Sequence, residues 1–181
     1  MSLRLAVSLI ALLPAIGGAA DGAHEHGVAT LQLVVDGDTL QANLEIPAHD
    51  VIGFEHAPST PAQRKAVDAA LARLQEAGRV IAPTPDAACA ATATQIDAAP
   101  GRDEDVSDTA HAHTQEAQSH ADFRLAWTLR CAQPAALDTA TTGLFKLLPE
   151  LAQLRVQVIG PLGARELMLA RPDSVIEFAA D

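Results

Sequence analysis

A chain of 181 residues with 49% hydrophobic side chains has the length of one domain with a proper core, and argues against a multidomain enzyme. Aromatic residues make up only 3%, so platforms for stacking nucleic-acid bases are scarce. Acidic residues outnumber basic ones 23 to 12, and the net charge of -11 repels phosphate backbones and anionic lipid, which leaves cations as the natural partners.

Residues 1–20 carry a single charge, Arg4, which precedes an apolar run from Leu5 to Ile16, and the small residues Gly17, Gly18, Ala19 and Ala20 follow. This reads as a secretory signal peptide, because its apolar core is shorter than the ~20 residues that span a bilayer. The expectation is cleavage near Asp21, a single domain over residues 21–181, and no membrane insertion after cleavage.

Val28 to Val35 and Thr39 to Ile46 alternate around the turn Asp36-Gly37-Asp38, the pattern of two antiparallel strands. On the second, Leu40, Ala42, Leu44 and Ile46 share one face while Gln41, Asn43 and Glu45 share the other. Thr60, Pro61 and Gln63 mark a helix start, and Val67, Ala70, Leu71, Leu74 and Ala77 recur at helical spacing as far as Gly78. That amphipathic helix is expected to cover the sheet.

Cys89 to Ile96 reads as a short strand. Residues 98–119 then shift to Asp, Glu, His, Thr, Ser and Ala with almost no large apolar side chain, as expected of a mobile acidic loop. Phe123, Leu125, Trp127 and Leu129 alternate in the clearest strand of the chain, expected to pair centrally. A short helical stretch from Gly143 to Leu148 precedes a second hairpin, Leu154 to Val158 and Arg165 to Leu169, turned by Gly160-Pro161-Leu162-Gly163. Val175 to Phe178 adds an expected edge strand. The fold class is therefore α+β: a largely antiparallel sheet of two hairpins and a bridging strand, covered by one main helix.

An oxidising compartment favours pairing of the two cysteines, Cys89 and Cys131, and neither belongs to a CxxC pair of the kind that binds metal. One disulfide is expected, anchoring the base of the acidic loop.

The seven histidines avoid the alternating core positions and the long helix, and they cluster. His24 and His26 form an HxH pair before the first strand. In an extended segment both project to one side, about 6.6 Å apart, where neutral imidazoles can share a zinc ion held at ~2.0 to 2.1 Å. His111 and His113 repeat the spacing inside the acidic loop, with His120 after it. A lone histidine is ordinarily a surface or hydrogen-bonded side chain, but two HxH pairs in one acidic, exported chain favour metal binding. Between the second strand and the helix, His49-Asp50 and Phe54-Glu55-His56 offer either further ligands or a carboxylate that orients an imidazole. His56 is the stronger ligand candidate and His49 the weaker, since His49 can simply pack at a strand end.

His24-Glu25-His26-Gly27, Pro47-Ala48-His49-Asp50, Gly53-Phe54-Glu55-His56 and His120-Ala121-Asp122-Phe123 together resemble the ZrgA family of exported zinc-binding proteins. The resemblance spans nearly the whole chain after the leader, with both cysteines and the later Phe145-Lys146 and Leu148-Pro149. It implies a periplasmic protein that supports high-affinity zinc import, with Zn2+ as its ion, working beside the solute-binding protein of a zinc ABC importer. Metal ligands are implied among His24, His26, His56, His111, His113 and His120. The family's loop is often a long run of histidines. Here it holds His111 and His113 among Asp103, Glu104, Asp105, Asp108 and Glu116, which weakens any role as a high-capacity zinc buffer.

Three other functions compete. A copper-binding periplasmic protein uses the same imidazoles, and copper(II) binds more tightly in the intrinsic order, but a Met-rich copper(I) site is absent with only Met1 and Met168. A zinc-dependent hydrolase or lyase needs an open coordination position and a nearby base in a water-excluding pocket, and the chain carries no HExxH and no nucleophile elbow. An interaction module with incidental histidines would bind no metal at micromolar concentration.

Overall fold

A computed structural model describes residues 25–101, 121–161 and 163–178. The loop histidines His111, His113 and His120, together with His24 and the leader, lie outside the described residues.

β1 (Val28–Asp36) and β2 (Thr39–Pro47) form the first expected hairpin, in register from Thr30↔Glu45 to Asp36↔Thr39. β5 (Asp122–Cys131) lies antiparallel to β2 on one side and to β4 (Cys89–Ala98) on the other, so the clearest strand does pair inside the sheet. β7 (Gln153–Gly160) and β8 (Gly163–Ala170) make the second hairpin. The six-stranded order is β4-β5-β2-β1-β7-β8. Its β1–β7 junction is parallel, which differs from a sheet built of hairpins alone. Alternation places Leu31 and Leu33, Leu40 and Leu44, Phe123 and Trp127, and Val156 on one buried face.

That face packs with the long helix α2 (Pro61–Leu74), whose Val67, Ala70, Leu71 and Leu74 join the same core. The capping box forms as the sequence predicts: Gln63 N–H donates to Thr60 Oγ1 at 3.2 Å and Thr60 N–H to Gln63 Oε1 at 3.1 Å. The helix stops earlier than expected. Ala77 and Gly78 belong to a separate turn, α3 (Ala77–Val80), and Trp127 Nε1–H caps the end of α2 by donating to Gln75 O at 3.1 Å.

The expected edge strand joins a different sheet. β9 (Val175–Glu177) pairs with β6 (Thr139–Thr142), which also pairs with β3 (Ile81–Pro83). Their Ile81, Ala140 and Ile176 join the same core. The predicted helical stretch is a single turn, α4 (Leu144–Leu147).

The disulfide forms between Cys89 and Cys131. Its expected position at the base of the acidic loop is wrong, for a reason of register. Cys89 opens β4 and Cys131 ends β5, so the bridge joins the end of this strand pair opposite the loop, which leaves β4 after Ala98 and returns at Asp122. Among the described residues no helix is long and apolar enough to cross a membrane.

Candidate metal centre

Three strand ends meet at the loop side of the sheet: the start of β1, the end of β2 and the start of β5. Pro47 ends β2 opposite Asp122, and the chain then makes one helical turn, α1 (Ala48–Ile52). Ala48 N–H donates to Ala121 O at 2.9 Å, fixing the turn to the start of β5. Gly53 closes α1 in the left-handed region at φ 81°, with its N–H donating to His49 O at 2.8 Å. His49 therefore sits on a helix, although the histidines were expected only in loops and at edges, and Asp50 beside it points inward.

Asp50 is the buried charge of the site, its side chain 3% exposed. Its Oδ2 accepts from Gly27 N–H at 2.6 Å. Gly27 adopts φ +80° and its carbonyl accepts from Ala152 and Gln153, both at 2.8 Å, so this turn is held on both sides. A left-handed φ suits glycine, which has no Cβ to clash with its own carbonyl. His26, one residue earlier, stands in this turn rather than on an extended segment, and the same-side projection expected of an extended HxH pair does not apply to it.

The second oxygen of Asp50 faces two imidazoles. Oδ1 lies 3.5 Å from His49 Nδ1 and 3.9 Å from His26 Nδ1. The two rings meet edge to face with centroids 4.6 Å apart. Ligand atoms from His26, His49 and Asp50 all lie within 4.8 Å of one another. Around a tetrahedral zinc the ligand atoms are separated by roughly 3.4 Å, given bonds of about 2.0 to 2.2 Å. The two separations from Asp50 Oδ1, 3.5 and 3.9 Å, lie near that value, and the whole group falls within 4.8 Å, so the side chains would draw together around an ion. Chemically the set suits zinc: two neutral nitrogens and one carboxylate, with a fourth position open to another ligand or water.

Both imidazoles are about half exposed, at 55% for His26 and 52% for His49, whereas the carboxylate is sunk beneath them. A buried carboxylate with one oxygen satisfied by an amide and the other facing imidazoles gains from a cation placed between them. His49 and Asp50 also border a groove of about 780 Å³ that runs along Ala66 and Ala69 of α2.

The stronger sequence candidate of this segment is placed elsewhere. His56 stacks on Phe54 with centroids 5.0 Å apart, and its Nδ1 lies 2.9 Å from Ala57 O, outside the group formed by His26, His49 and Asp50. His49, ranked lower from the sequence, takes the place beside His26. A usable signal was present: Pro47 and Gly53 bracket five residues with a helix-starting and a helix-ending residue, which turns His49 and Asp50 back toward the strand ends. Glu55 completes the surroundings, with Oε1 3.5 Å from His26 Nε2.

A model of the ZrgA family zinc uptake protein matches residues 23–178, which takes in both hairpins, His26, His49 and Asp50, and the two cysteines. No curated protein matches the chain. With most of its length matched and two imidazoles gathered over a buried carboxylate, the chain belongs to the ZrgA family of zinc uptake proteins.

Proposed function

We propose that the protein is a non-catalytic periplasmic zinc-binding protein that holds zinc, or delivers it, in support of high-affinity import. The observation that carries this reading is the convergence of His26, His49 and buried Asp50 within 4.8 Å. Zinc is the cargo here. The exposed imidazoles support exchange of the ion with an outside partner, whereas zinc catalysis calls for a water-excluding pocket around the metal. The solute-binding protein of a zinc importer is the partner this reading names, as receiver or donor of the ion. The sequence-based ligands remain part of the proposal. His24, two positions before His26, is the source of the fourth ligand, and His111, His113 and His120 add weaker sites on the acidic segment.

Calorimetric titration of the protein with zinc, with and without His26→Ala plus His49→Ala, tests the folded site. Loss of the tight phase, by roughly 100-fold or more for two ligands removed, is the expected result. Circular dichroism checks that the variant folds. Unchanged tight binding in a folded double variant would sink the assignment.

A further inference from the structure

The His26 ring lies between two carboxylates, with Nδ1 toward Asp50 Oδ1 at 3.9 Å and Nε2 toward Glu55 Oε1 at 3.5 Å. A neutral imidazole has one N–H and one lone pair, and only the nitrogen with the lone pair can bind a metal. An ionised carboxylate is acceptor-only. We propose that Glu55 is a positioning residue: it takes the Nε2–H of His26, locks the ring, and thereby selects Nδ1 as the atom offered to zinc.

The inference rests on the metal site proposed above and adds the ligating atom and its support. Without Glu55, the proton can sit on Nδ1 instead, and a half turn of the ring would put Cδ2 where Nδ1 stands, so neither the orientation nor the ligating nitrogen is defined. Glu55 can hold its place because its neighbours are fixed. Gly53 turns the chain, Phe54 packs against the core, and Phe54 stacks on His56, whose Nδ1 contacts Ala57 O. The Glu55 side chain is 20% exposed, so its carboxylate is partly withdrawn from water and its hold on the ring is less screened than a surface pair's. A carboxylate on the outer nitrogen of a ligating histidine also raises the basicity of the inner one.

Two measurements test this on the full protein. Zinc titration of Glu55→Ala and Glu55→Gln should show a 10- to 100-fold loss for alanine and a smaller one for glutamine, whose neutral oxygen still accepts a hydrogen bond. Nitrogen-15 NMR of the histidine rings should show His26 bound to zinc through Nδ1 in the wild type. In the metal-free protein it should show a pure Nε2–H tautomer that becomes a mixture in Glu55→Ala. Affinity within twofold of wild type in Glu55→Ala, ligation through Nε2, or the same tautomer mixture with and without Glu55 would each overturn the proposal. A loss far beyond 100-fold would also overturn it, by making Glu55 a ligand. Should the wild type bind no zinc, the proposed function falls, and the metal-free tautomers still decide whether Glu55 orients His26.

Discussion

Asp50 carries two tasks that substitution can separate. One oxygen accepts from the buried Gly27 N–H and the other faces the imidazoles. Asp50→Asn keeps an acceptor of the same shape, so the fold should survive with stability close to wild type, while zinc affinity falls about 10-fold or more for lack of the charge. Asp50→Ala removes the acceptor too and strands the Gly27 amide, which costs about 1 to 3 kcal/mol. Urea unfolding of the metal-free variants, set beside zinc titrations, separates the tasks. Equal destabilisation by both substitutions would show that charge, not the bond to Gly27, secures the turn. Sequence alone marked His26 through its HxH spacing. It named Asp50 only as a further ligand or an orienting carboxylate, and could not show its burial, because the group that anchors Asp50 is a backbone amide 23 residues away.

At the scale of elements, the long alternating strands and the capped helix were legible because their periods of 2 and 3.6 repeat over enough residues to stand out. Leu40, Ala42, Leu44 and Ile46 are buried as their alternation requires, and Thr60 with Gln63 closes the expected box. The small sheet was not legible as a sheet, since β3 and β9 have three residues each and β6 has four, too few to display a period. Neither was the parallel contact of β1 with β7, because alternation says which face is buried but not which strand lies alongside. The disulfide was legible as a pair and misplaced as a position, its location depending on the β4–β5 register. That register sets an expectation. Replacing Cys89 and Cys131 with alanine removes a crosslink across 42 residues and should lower unfolding free energy by up to about 4 kcal/mol in the chain-entropy model. Zinc affinity should stay within about twofold, since the bridge and the metal centre occupy opposite ends of β5. Denaturant midpoints and zinc titration of the double variant check both halves.

For the molecule as a whole, the turn that carries His26 ties two distant parts of the chain together. Gly27 is bound to Asp50 through its amide and to Ala152 and Gln153 through its carbonyl, so one residue joins the metal centre to the start of β7, over 120 residues further along the chain. Zinc binding should damp local opening of that turn, and the two amides that donate to Gly27 can exchange with solvent only when it opens. Hydrogen–deuterium exchange should therefore slow at Ala152 and Gln153 on adding zinc, although neither touches the ion, while amides of β9 in the other sheet keep their rates. If Ala152 and Gln153 exchange at the same rate with and without zinc, the ion and the parallel strand are uncoupled. If they slow, occupancy of the site is written into the backbone of a hairpin that makes no contact with the ion.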